Sequence, residues 1–200
     1  MIKAIYSSMK PRSLPSAMSR FTRNEEGIAA IEFAFIAPIM LFMYFGLAEI
    51  ATAISVDRKI SHSANVAGDL ATQSEDFSAA EMTDILQATK LVMSLPEEKL
   101  KFVTIEISSY SRTDDDDPAS VVNRGTATFK GAEGTNFANF DAANLDTDIL
   151  NSTSGVVVAR VQYLYKPLQL RYAPKEFKIT ETFMLKPRKS ANVDIEDINL

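Results

Sequence analysis

The chain contains no cysteine, no tryptophan and a single histidine, His62. Without cysteine there is no disulfide, no thiolate metal site and no cysteine nucleophile. His62 has no companion His or Cys at ligand spacing, so it reads as a surface residue and not as part of a metal centre. G-x-S-x-G, H-E-x-x-H, P-loop and dinucleotide-binding patterns are all missing, and with them the residue sets of the common hydrolases and nucleotide enzymes. The sequence reads as a non-enzyme that needs no cofactor. The lack of disulfides fits an extracytoplasmic domain without requiring one, since a large enough core makes them dispensable.

Charge is unevenly spread. The formal net charge is −5, yet residues 1–26 carry Lys3, Lys10, Arg12, Arg20 and Arg23 against Glu25 and Glu26, so the start of the chain is net +3 and the rest net −8. A basic tip ahead of an acidic body is the asymmetry expected when a membrane separates the two. The acidic body argues against nucleic acid as a partner, because phosphate binding needs clustered Lys and Arg.

Lys and Arg are also absent from residues 27–56, GIAAIEFAFIAPIMLFMYFGLAEIATAISV, whose only charges are Glu32 and Glu49. A bilayer core of roughly 30 Å takes about 20 helical residues, and Ile28 to Ala48 supplies them. Three readings compete. A soluble core helix is disfavoured because the run is long and apolar on all sides. A cleaved secretory signal has Ala51-Thr52-Ala53 as a small-residue cleavage site, but its apolar core is typically about 7–15 residues. A retained spanning helix fits best. The basic residues ahead of it then put the N-terminus in the cytoplasm and the body in the periplasm.

An ionisable group inside such a segment marks function by default. Glu32 sits one turn in, at the fifth position counted from Ile28; Glu49 sits near the far end, where it either has a role or simply reaches the headgroups. Pro38 lacks an N–H and should kink the helix. Gly46 allows close helix contact.

Gly27-Ile28-Ala29-Ala30-Ile31-Glu32-Phe33 resembles the class III signal of type IV prepilins and pseudopilins. Arg23-Asn24-Glu25-Glu26-Gly27 through Ala34, Pro38-Ile39-Met40-Leu41 and Phe45-Gly46-Leu47-Ala48-Glu49 together resemble the start of the TadE-like family, with TadF-like chains the near alternative. The resemblance runs from about Arg20 to Ala71. It implies a minor pilin or pseudopilin of a Tad (Flp) type IVb pilus, serving adhesion or secretion. It also implies cutting between Gly27 and Ile28 by a prepilin peptidase. The partners it implies are that peptidase, other major and minor pilins, the inner-membrane assembly platform and membrane lipid. The new Ile28 amine would meet the Glu32 carboxylate of a neighbouring subunit, a pairing that relieves two desolvation costs and fixes axial register, with Phe33 beside it. The alternative is an uncleaved, single-pass anchored scaffold or receptor.

Beyond the span, Ile60, Ala64, Ala67 and Leu70 with Ala71 keep a helical period,. Ser78-Ala79-Ala80-Glu81 forms a capping box for a second helix over about 79–94, with Met82, Ile85, Leu86, Val92 and Met93 as its apolar stripe and Pro96 as its stop,. The period then changes to two. Strands are predicted at 101–110, 121–129, 156–166 and 177–185, forming one antiparallel sheet of about four strands under the helices, an α+β layer. Residues 131–154 read as a long connection, with room for a short helix. The predicted organisation is a basic cytoplasmic leader at 1–27, a transmembrane helix at 28–56, an extracytoplasmic domain at 57–186 and a flexible tail at 187–200. Asp114, Asp115, Asp116 and Asp117 offer carboxylates for Ca²⁺, which an adhesin could use. They lack the alternating spacing of a calcium loop and read as a solvated turn. Tyr163, Tyr165 and Tyr172 read as sheet and rim packing.

Overall fold

A computed structural model describes residues 25–167 and 176–200. It divides into two compact units, the first ending at Gly46 and the second beginning at Leu47. Helix α1, Glu25–Ala71, contributes to both and runs through Pro38. In the first unit every large apolar side chain from Ile28 to Phe45 is exposed, by 46–74%.

In the second unit α1 becomes one-sided. Val56, Ile60, Ala64, Ala67 and Ala71 follow at three- and four-residue steps and are buried, whereas Leu70 is only half-buried. This is the stripe expected from the periodicity, with Val56 added. Its small side chains bring the helix backbone close to the sheet.

After a two-residue strand, β1 (Asp76–Phe77), comes α2 (Ala79–Met93). Its capping box is closed in both directions: Ser78 N–H donates to Glu81 Oε2 at 2.9 Å, and Glu81 N–H donates to Ser78 Oγ at 3.4 Å. Met82, Ile85, Leu86 and Met93 are buried as the spacing predicts, with Thr89 in place of Val92. A short α3 (Glu97–Leu100) leads into the sheet.

The sheet strands are β2 (Val103–Arg112), β3 (Val121–Lys130), β4 (Val156–Tyr165) and β5 (Phe177–Leu185), joined by β7 (Ile198–Asn199) in the order β5-β4-β2-β3-β7. The α+β expectation holds, with one more strand than predicted and a mixed sheet in place of an antiparallel one, because β7 runs parallel to β3. The core lies between the two helices and one sheet face, where Val103, Ile105, Ile107, Ala159 and Val161 meet Ile60, Met82 and Leu86.

The other sheet face is covered as well. Residues 131–154 form no helix, only an isolated bridge between Asn151 and Ser154, and they lie across the sheet. Ala142 and Leu150, with Phe140 and Leu145, pack on Tyr110, Val156 and Val158. The polar half of that face is buried with them: Arg160 bonds Glu106 and donates to Ala138 O at 2.8 Å, and Thr104 Oγ1 donates to Thr135 O at 3.0 Å.

The end of the chain is not the free tail expected for 187–200. Strand β6 (Asp194–Ile195) pairs with β1, Leu200 N–H donates to Thr128 O at 2.9 Å, and Val193 and Ile195 are buried. This segment leads from edge strand β5 to the opposite edge, where β7 closes on β3.

Candidate functional site

The first candidate site is the exposed part of α1. Gly27, Ile28, Glu32 and Phe33 lie in its first turns and are exposed, Ile28 by 57% and Phe33 by 70%. Ile28 and Glu32 are four residues apart, which puts them on one helix face. Gly27 and Gly46 both have open space where a Cβ would stand. Pro38 leaves the carbonyl of Ala34 without its helical donor, and both residues are exposed. Glu32 thus stands on a helix surface that is otherwise hydrocarbon.

That helix is long and apolar enough to cross a membrane, and none of its most apolar window is buried. Soluble monomers rarely expose a contiguous apolar patch beyond a few hundred Å². On insertion scales each Ile, Leu or Phe near the centre contributes about −0.3 to −0.6 kcal/mol, and an acid such as Asp costs about 2.5–3.5 kcal/mol. The nine Ile, Leu and Phe residues between 28 and 45 sum to roughly −3 to −5 kcal/mol. That is the size of the cost of an acid at the centre, and Glu32 lies near one end, where the cost is smaller.

The second candidate, Glu49, is 8% exposed within the folded unit. Tyr165 donates its hydroxyl hydrogen to Glu49 Oε1 at 2.6 Å. The Tyr165 ring is itself buried, 4.9 Å from the Phe177 ring and 6.2 Å from the Tyr163 ring. Burial pushes the Tyr165 hydroxyl above the ordinary phenol value, and the Glu49 hydrogen bond and charge push it the same way. The sequence placed the end of the span at residue 56. In the structure the folded unit begins at Leu47, with Glu49 buried and Ala53 packed against the core.

The aspartate run holds its own turn and the far end of the 131–154 connection. Asp115 accepts from Ser152 N–H at 2.6 Å and from Ser152 Oγ at 3.0 Å, and Asp117 caps the short 3₁₀ turn Pro118–Ser120 through Ala119 N–H at 2.8 Å. Among the described residues no group of three or more His, Asp or Glu is arranged to hold a metal ion. His62 is exposed. The leader through Arg23, and Tyr172, lie outside the described residues.

Two relationships had no local sequence cue. Tyr165 looked like a packing residue, and its bond to Glu49 joins positions 116 apart. The Arg160–Glu106 pair on the covered face joins positions 54 apart.

No curated protein and no solved structure matches this chain. A family model does match, the one described as TadE-like protein, over residues 27–69. That range holds Glu32, Pro38, Gly46, Glu49 and most of the stripe that docks on the sheet. From Gly27 to Asp69 the chain is therefore similar to the TadE-like family, and this stretch is carried into an α+β domain.

Proposed function

We propose that this protein is a TadE-like minor pilin or pseudopilin that takes part in assembling a Tad-type pilus. Its N-terminus is cytoplasmic, α1 spans the inner membrane from Ile28 to about Ala48, and the folded unit is periplasmic. A prepilin peptidase cuts after Gly27. The freed Ile28 amine of one subunit then meets the Glu32 carboxylate of the next, which sets their axial register in a medium where neither charge is otherwise solvated. The chain acts by assembling with major and other minor pilins on the inner-membrane platform and performs no chemistry itself.

One observation carries the reading: between Ile28 and Ala48 an unburied apolar helix holds a single acid, Glu32, one turn beyond Gly27, within the stretch similar to the TadE-like family. The deciding experiment is the intact mass of the membrane-extracted chain with and without its prepilin peptidase. Cleavage is established if the chain begins at Ile28 only when the peptidase is present.

A second reading has one observation in its favour. The Gly27–Ile28 bond lies inside α1, which already starts at Glu25, so a protease must unwind the first turn to reach it. On that reading the chain is an uncleaved single-pass scaffold, and the mass retains residues 1–27 in both conditions.

A further inference from the structure

Leu47, the first residue of the folded unit, is 70% exposed, and two residues later the chain is pinned by the Tyr165–Glu49 hydrogen bond. Tyr165 also lines a cavity of about 270 Å³, together with Lys99, Lys101, Phe102, Tyr163 and Lys166. The Nζ atoms of Lys101 and Lys166 stand 4.9 and 4.4 Å from the centre of the Phe102 ring. Lys99 has no ion pair or side-chain hydrogen bond among the described residues, and neither does the Tyr163 hydroxyl, although that ring is 4% exposed.

Three ammonium groups and a phenol with an unused donor suit a phosphate diester. Aromatic walls suit the apolar glycerol and upper acyl chain next to it. Lys with Tyr and Phe is the side-chain mixture found where proteins meet lipid headgroups. The cavity is not basic overall: Glu98 lines it, Glu133 bridges Lys101 and Lys166 at 2.9 and 3.0 Å, and Glu176 pairs with Lys166 at 3.4 Å. Such exposed ion pairs are screened by water and worth little, so Glu133 and Glu176 compete weakly for the lysines. A ligand already concentrated by anchoring overcomes that competition. A soluble anion has no such advantage.

We propose that this lysine–aromatic cavity seats the headgroup of an anionic phospholipid and holds the folded unit against the leaflet reached by the end of the span. The proposal rests on the reading that residues 28–48 cross a membrane.

The test uses the full chain, offered equal amounts of phosphatidylglycerol and phosphatidylcholine, with retained lipid read by native mass spectrometry. Resistance to alkaline carbonate extraction is measured separately and reports on the span alone. Wild type is expected to retain phosphatidylglycerol in preference to phosphatidylcholine. Each lysine contributes roughly fivefold, so Lys101→Gln with Lys166→Gln lowers that preference about 25-fold, and Glu133→Gln raises it. The substituted lysine side chains are 47% and 38% exposed, so circular dichroism should show an unchanged fold. A membrane-integral chain that retains both lipids equally, or a lysine variant that behaves as wild type, overturns the headgroup site and leaves the span intact. Loss of phosphatidylglycerol to excess inorganic phosphate also overturns it, by showing a general anion site. A chain that carbonate extracts defeats the spanning reading and this proposal with it.

Discussion

Glu49 and Tyr165, 116 residues apart, meet at 2.6 Å where α1 joins the folded unit. Within that unit the bond ties α1, two residues after the unit begins, to the end of β4, one of the most buried strands of the sheet. A hydrogen bond to a charged group contributes about 1.5–3 kcal/mol net, so Tyr165→Phe should lower unfolding free energy by about that amount in denaturant titrations. The pH dependence has a definite sign. Tyr165 has a folded-state value raised above the ordinary 10.0, so its contribution is fully present below about pH 10 and is lost as pH rises toward the folded value. Stability should therefore decline above that pH. Tyr110 and Tyr163 are raised as well, so the variant should show a shallower alkaline decline, not a flat line. An unchanged decline would show that Tyr165 stays neutral for no energetic reason.

Two glycines should behave oppositely on replacement by alanine. Gly125 lies where the β2–β3 register shifts, at φ +128°, and a Cβ there would stand 1.8 Å from Ile195 O. Left-handed strain and a backbone clash act together, and the displaced partner is β6, which holds the C-terminal segment in place. Gly125→Ala should cost more than about 2 kcal/mol and open residues 193–200 to proteolysis. Gly46 has nothing within 4 Å of a Cβ, so Gly46→Ala should leave the folded unit untouched and favour the helix by about 0.5–1 kcal/mol. If Gly46→Ala impairs assembly while stability holds, Gly46 packs against a neighbouring subunit.

Arg160 pins residues 131–154 to the sheet. It bonds Glu106 through two nitrogens, donates to Ala138 O and stands 4.6 Å from the centre of the Phe137 ring. The paired side chains are only 10% and 16% exposed. Removing one partner of a buried pair strands the other charge and costs about 3–5 kcal/mol, whereas replacing both with apolar residues is often neutral. Arg160→Gln should therefore accelerate amide exchange across 135–150, and Arg160→Met with Glu106→Leu should restore much of the protection. Equal exchange in all three proteins would mean that the Tyr110–Leu150 cluster alone holds the connection.

Local periodicity explains what the sequence revealed. The Ser78–Glu81 box starts α2 where its spacing says it should, and β5 spans the predicted residues 177–185, because each depends on neighbours a few positions away. Ile28 and Glu32 fall on one helix face for the same reason,. Strands β1, β6 and β7 have two residues each, too few for any period, and they exist only because the chain end returns to pair with distant backbone. The covering of Glu106, Ser108 and Arg160 was hidden for a related reason. An alternating strand shows which side chains share a face, and a polar face with its hydrogen bonds satisfied looks in sequence like one facing water.

Glu32 is the residue on which the assembly reading depends most directly. It is exposed on a helix with no partner for its carboxylate among the described residues, and it lies far in sequence from the docked stripe that begins at Val56. Replacing it should leave the folded unit unchanged and, by removing a charge from the apolar segment, should make insertion easier. A structural role predicts no further effect. A registering role predicts that Glu32→Gln inserts fully yet loses co-purification with partner pilins, because a neutral amide cannot replace a carboxylate facing the Ile28 amine. Glu32→Asp keeps the charge on a shorter arm and should recover part of the association. The measurement is pull-down of the processed chain from membranes, with wild type, Gln and Asp compared at equal insertion. If Gln equals wild type, the paired-charge account of subunit register is wrong, and apolar packing around Phe33 must set the register instead.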